Sequence, residues 1–163
     1  MRLKYLLLLC FSLCLFSCYS FTATTLPPHI RTVNIADVDY RSFDPVIGNR
    51  LKDGIRDLFR INAPAIRIIN DDADADFSVT LLSYSNRPES HSSSAEVETY
   101  RVTLGVSVLF YDNIRKRVIY ESKNIQAIGS YDVQKNESEE RQGQERAIER
   151  LKEIIVANAL AKW

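Results

Sequence analysis

Apolar and polar residues alternate along this chain in two rhythms, one of two residues and one of three to four. The two-residue rhythm is strongest from Val97 to Tyr111. Tyr100, Val102, Leu104, Val106, Val108 and Phe110 fall on one face, and Thr99, Arg101, Thr103, Gly105 and Ser107 on the other. Sustained alternation of this kind predicts a half-buried antiparallel strand. Asp112-Asn113 opens a turn carrying Arg115, Lys116 and Arg117, and Val118 to Ile128 is expected to return as the hairpin partner. Earlier in the chain, Arg31 to Val38 reads as a first strand with Val33 and Ile35 on one face. Pro64 separates a short strand, Ala65 to Ile69, from what precedes it. Phe77 to Tyr84 reads as a further strand, and residues 85–96 as a long polar loop.

The longer rhythm occurs twice. Asp44-Pro45 suits a helix start, with Asp as N-cap and Pro in the first turn. Ile47, Leu51, Ile55 and Leu58 then recur at helical spacing, giving one apolar face of a helix that ends near Arg60. Gly48 and Gly54 each weaken such a helix by about 1 kcal/mol relative to Ala, which close packing on a sheet would justify. Asn136 with Glu139 resembles a capping box, and Ile148, Leu151, Ile155 and Ala159 form the buried stripe of a last helix. Strand, helix, strands, helix, with mostly neighbouring strands, predicts an α+β fold: two helices packed on one face of a mostly antiparallel four- to five-stranded sheet.

The first residues follow neither rhythm. Arg2 and Lys4 precede an apolar run from Tyr5 to Leu15. The run has the length of a signal-peptide core and is too short to span a bilayer, which takes about 20 residues. It ends in Leu15-Phe16-Ser17-Cys18, the pattern of a lipobox. An ordinary secretory cut favours small residues two positions apart; Ser17 fits that and Leu15 does not. Cys18 is therefore the expected lipidation site, its sulfur being the nucleophile that takes diacylglycerol. Further acyl chains make such an anchor stable. The expected divisions are a signal peptide over 1–17, a lipidated tether over 18–30 held extended by Pro27-Pro28, and one domain over 31–163.

Composition adds limits. Of 163 residues, 45% are hydrophobic and 26% charged, with 21 basic against 21 acidic side chains. Removing 1–17, with Arg2 and Lys4, leaves 146 residues and 19 basic groups against 21 acidic ones. That size suits one domain with a real core, and that balance gives no electrostatic reason to expect nucleic acid. Cys10 and Cys14 fall in the signal and Cys18 is used by lipid, so neither a disulfide nor a structural zinc site is expected. Asp72, Asp74 and Asp76 imitate the opening of a calcium loop. Phe77 and Ser83 stand where that loop needs Gly and Glu, so a solvated turn is expected instead. His29 and His91 lie in separate polar segments, and no catalytic triad, metal set or phosphate-binding Gly loop can be assembled. Neither a catalytic role nor a cofactor beyond the lipid is expected.

Cys18-Tyr19-Ser20-Phe21-Thr22, followed by Leu26-Pro27-Pro28-His29-Ile30-Arg31-Thr32-Val33-Asn34-Ile35, resembles the start of the LptE-type lipopolysaccharide-assembly lipoproteins in the form common in Bacteroidota. Ala75-Asp76-Phe77 before a strand also matches, as does the order of elements. Ala23 departs from the pattern, where relatives often carry Gly, and so does Ile35 to Tyr40. The resemblance implies a non-enzymatic lipoprotein in the periplasmic leaflet of the outer membrane. It would plug and help assemble an LptD-type β-barrel and deliver lipopolysaccharide to the cell surface. No acidic residue directly follows Cys18, which favours the periplasmic side. If lipopolysaccharide is touched directly, its phosphates and carboxylates call for Arg and Lys. The candidates are Arg87, Arg101, Arg115, Lys116 and Arg117, although a basic turn is more often a solvated turn. The competing reading is a stand-alone periplasmic lipoprotein that binds a small lipid or an envelope polymer.

Overall fold

The structure is a computed structural model, and it describes residues 26–39, 45–91, 97–132 and 139–161. Cys18, Asp44 and Asn136 lie outside the described residues, as does the 92–96 part of the expected loop. The elements are β1 (Thr32–Ile35), α1 (Pro45–Asn62), β2 (Arg67–Ile68), β3 (Ala75–His91), β4 (Val97–Asp112), β5 (Arg117–Asp132) and α2 (Glu139–Ala161). The strands form one sheet in the order β2-β1-β3-β4-β5. β1 runs parallel to both β2 and β3, and β3, β4 and β5 form an antiparallel meander. The α+β expectation of two helices on a mostly antiparallel sheet holds.

The alternating residues act as the period requires. Val102, Leu104, Val106, Val108 and Phe110 of β4 are buried under the helices, with Phe77, Val79 and Leu81 of β3 beside them. α1 contributes Ile47, Leu51, Ile55 and Phe59, while Leu58 packs at the margin. Phe59, Phe77 and Phe110 meet edge-on, with ring centroids 5.1, 6.2 and 5.4 Å apart. That is a favoured aromatic geometry, and it joins α1 to the centre of the sheet. α2 buries Ile148, Leu151, Ile155 and Ala159 as its spacing predicts, together with Ala147 and Val156.

Three expectations need correction. Ser85 to His91 is strand, not loop: it continues β3, with Asn86 opposite Val102 and Pro88 opposite Tyr100. Its polar composition has a geometric cause. β1 pairs with β3 only at Ala75–Phe77, so the upper part of β3 is a sheet edge, where Pro is tolerated. An extra residue at Leu82 shifts the register between Leu81 and Ser83. This bulge keeps Tyr84 directed at α2, where its hydroxyl meets Glu140 and accepts from Gln144 Nε2 at 3.1 Å. Secondly, Asp74 and Asp76 are half-buried rather than a solvated turn. The Asp74 carboxylate accepts the backbone N–H groups of Arg31 and Thr32 at 2.8 and 2.9 Å, and Asp76 accepts from Asn34 and Asn113. Thirdly, Gly54 makes room for α2 and not for the sheet, since a Cβ there would lie 2.6 Å from Lys152 Cδ.

α2 seats tightly on β5 because Gly129 faces Gly143. A Cβ on Gly129 would lie 2.0 Å from the Gly143 carbonyl oxygen. Farther along, α2 reaches over the outer edge of the sheet. Arg146 donates to the Ser130 carbonyl at 2.6 Å, and Arg150 to that of Ile128 at 2.8 Å.

Candidate functional site

Both helices cover the same side of the sheet, so its other side is open. Along β4 this open face presents Arg101, Thr103, Gly105, Ser107 and Leu109. Pairing sets them opposite Arg87, Ser85, Ser83, Thr80 and Ser78 of β3. Midway along the face, Leu82 and Leu109 are 47% and 38% exposed and share a shallow hollow with Ser78, Thr80, Ser107, Glu121 and Lys123. A face of hydroxyls and scattered charges with two leucines is neither a core surface nor a fully solvated one.

The structure divides the five candidate cations into two groups. Arg87 and Arg101 form a directly opposed pair on the open face, near the upper hairpin. Like charges placed across two strands repel. Arg101 escapes part of that cost through an ion pair with Glu89, whose other oxygen accepts from Ser130 Oγ at 3.0 Å. The bond from Arg101 holds the Glu89 carboxyl below its usual value, and Glu89 raises that of Arg101 in turn. Among the described residues Arg87 gains no such carboxylate. It lines a polar concavity with Ser85, Pro88, Glu89, Arg101 and Thr103. A guanidinium beside hydroxyls and a second guanidinium suits a phosphate or carboxylate.

Arg115, Lys116 and Arg117 occupy the β4–β5 turn at the opposite end of the sheet. Arg101 and Asp112 are eleven positions apart along the strand, roughly 36 Å at about 3.3 Å per residue. The two groups cannot share one small anion. At this lower end β1, β2, β3 and β5 begin and β4 finishes, so several loops converge there.

Asp112 organises the lower end. Its side chain is fully buried, and its Oδ1 accepts from the backbone N–H groups of Ile114 and Arg115 at 3.0 and 2.8 Å. Its Oδ2 lies 2.7 Å from His29 Nε2 and 3.9 Å from Arg117 Nε. Burial pushes the Asp112 carboxyl up, but the Arg115 N–H and His29 outweigh it and hold the group below its ordinary value. Asp74 is held low chiefly by the Arg31 N–H. Together these bonds clamp the chain at His29–Thr32 to the turn. Residues before it are packed as well: Pro27 is buried, Ile30 is 3% exposed, and Leu26 lies partly buried near Ala63 and Ile66. Leu26 to Ile30, assigned to the tether by sequence, therefore rest on the domain.

His29 and Asp112 were not singled out from sequence as partners. Asp112 carried a local signal, since an Asp two and three residues before the turn's N–H groups suits an Asx-turn. Nothing local could pair it with His29, 83 positions away. No group of three or more metal-ligating side chains occurs among the described residues.

Comparison with known proteins places this architecture. No curated protein sequence matches the chain. Among solved structures, lipoprotein B from Nitrosomonas europaea shares 17% identity at a TM-score of 0.56, covering 85% of this chain and 86% of that one. Protein XCC0632 from Xanthomonas campestris shares 11% identity at 0.57, with 84% and 90% covered. PelC from Paraburkholderia phytofirmans, solved as a dodecamer, shares 13% at 0.52, with 82% and 88% covered. At these identities the likeness is one of fold. The family model described as lipopolysaccharide-assembly, LptE, matches residues 30–159, which contain all the strands and nearly all of both helices. The chain belongs to the LptE lipopolysaccharide-assembly family.

Proposed function

We propose that this protein is a non-enzymatic lipoprotein, anchored through lipidated Cys18 on the periplasmic side of the outer membrane. There it plugs and helps assemble an LptD-type β-barrel for delivery of lipopolysaccharide to the cell surface. Family membership supports the assembly role. The observation that carries the finer reading is the open sheet face. It combines Leu82 and Leu109, available to the wall of a larger partner, with the opposed pair Arg87 and Arg101, available to an anionic lipid cargo. Among the described residues no helix is long and apolar enough to cross a membrane, and a lipid on Cys18 supplies attachment without one.

Arg87 is the residue to test for cargo contact. The Arg101 guanidinium is already engaged by Glu89, so an added phosphate competes with that carboxylate. Arg87→Gln should weaken lipopolysaccharide binding by roughly tenfold, the scale of one charge-assisted contact. Arg101→Gln should weaken it less. The role itself is tested by detergent extraction of the envelope and recovery of the lipoprotein with its partners. A near-stoichiometric large β-barrel is the expected result. A lone protein, recovered under conditions that keep other envelope complexes intact, refutes the plug reading.

A further inference from the structure

The lower end of the domain carries a turn whose composition the barrel and cargo reading leaves unused. In the segment 114–118, Ile114 and Val118 are 53% and 48% exposed and flank Arg115, Lys116 and Arg117, all of them exposed. Neither the Arg115 guanidinium nor the Lys116 ammonium has a carboxylate partner among the described residues, whereas Arg117 reaches the buried Asp112. Isoleucine at a turn tip, followed by cations, is poorly suited to bulk water. It is well suited to the boundary between acyl chains and headgroups.

The chain's own geometry decides what lies beneath this turn. Asp112, at its base, holds His29, and Asp74 holds Arg31 and Thr32. The segment arriving from Cys18 therefore joins the domain beside the turn. Leu26 is eight positions after Cys18, at most about 29 Å of extended chain. If Cys18 is in a bilayer, the lower end of the domain is the end held against it. The leash keeps the turn at high local concentration over one surface. Acidic groups nearby oppose the attraction in part: Asp71 and Asp72 are exposed in the loop before β3. Asp74 and Asp76 are already engaged by N–H groups.

We propose that the β4–β5 turn, Ile114-Arg115-Lys116-Arg117, is a foot that docks on the anionic phospholipid headgroups of the leaflet holding the Cys18 lipid. The inference rests on the lipid-anchor reading above. Docking fixes the upright pose of the domain, with the open sheet face standing away from the bilayer surface.

The test uses full-length lipidated protein purified from membranes and returned to vesicles. After Cys18 the chain has no other cysteine, so Ile114→Cys takes a polarity-sensitive fluorophore uniquely, and Gln126→Cys on exposed mid-strand β5 serves as control. On vesicles containing phosphatidylglycerol, the label at 114 should shift to the blue and the label at 126 should not. Arg115→Gln with Lys116→Gln should reverse the shift, each neutralised cation lowering occupancy of the docked state roughly fivefold. Raised salt should act likewise. A protein that floats with the vesicles while its 114 label stays water-like overturns the foot and leaves the anchor standing. An equal shift on phosphatidylcholine alone overturns the charge recognition. A 114 label silent on phosphatidylglycerol but responsive to added lipopolysaccharide assigns the turn to cargo instead. Failure to float at all removes the anchor, and the foot with it.

Discussion

The seat of α2 on β5 makes one substitution informative at two positions. At Gly129 an added methyl meets backbone, lying 2.0 Å from the Gly143 carbonyl oxygen and 2.7 Å from the Ala147 nitrogen. Non-bonded heavy atoms settle at about 3.5 Å, so α2 must retreat by more than 1 Å. Retreat loosens Val102, Ile148 and Leu151, all essentially inaccessible to solvent. Overpacking typically costs about 1–3 kcal/mol, and a contact that no side-chain rotation relieves belongs at the top of that range or above. Gly129→Ala should therefore destabilise by about 3 kcal/mol. At Gly54 the same methyl meets Lys152 Cδ, the middle of a flexible side chain that can swing aside. There Ala also recovers up to about 1 kcal/mol of helix propensity. Gly54→Ala should be neutral or stabilise by about 0.5 kcal/mol. Urea unfolding followed by circular dichroism measures both, with shared m-values showing that midpoints report stability. Equal losses at the two positions, or a loss under about 1 kcal/mol at Gly129, would refute the reasoning.

Other outcomes follow from the buried groups. Asp112 and Asp74 have folded-state pKa values below their ordinary ones. The stability they contribute is complete above about 3.9 and is lost as pH falls through the lowered folded values. The urea midpoint should drop on acidification, and Asp112→Asn should be less stable at neutral pH with a flatter acid limb. An unchanged limb contradicts the assignment. Burial, aided by the Glu140 carboxylate, pushes the Tyr84 hydroxyl up to about 12. Its contribution persists below about 10 and is lost as pH rises from there toward 12. Tyr84→Phe should flatten that alkaline loss and remove one phenolate from the late part of the absorbance titration. Leu151→Ala removes a fully buried side chain from α2 and should cost about 2–5 kcal/mol in the same unfolding assay.

Much of the fold was legible because its strongest elements satisfy local and global demands together. The β4 alternation and the two apolar helix stripes serve one core, so period alone located them. The upper half of β3 was not legible. Ser85 to His91 lies on a sheet edge and carries Pro88, so neither alternation nor β-propensity marks it, and only pairing with β4 makes it strand. Leu58 was expected to line the core where Phe59 fills it instead. A stripe read at spacings of three and four tolerates one residue of rotation at a helix end. The candidate cations were legible as residue types and illegible as a site. Arg87 and Arg101 are brought together by strand register, and Arg115 to Arg117 are held a strand's length away by the same register. His29 lacked any local signal, because its partner is supplied by the far end of β4.

The 83-residue separation between His29 and Asp112 also sets an order of events in time. For a chain crossing a membrane N-terminus first, His29 arrives long before the group that fastens it. Asp112 comes at the end of β4, and the closure of so long a loop waits on the meander. During that interval His29 is not yet clamped to the domain, and if Cys18 is lipidated as proposed, its thiol would be modified before the clamp forms. Once Asp112 takes up His29, the chain from Leu26 to Thr32 rests on the domain. On the proposed anchor, the buried carboxylate of Asp112 would separate two events in time: lipid would be attached first, and His29 fastened only when the rest of the chain has arrived.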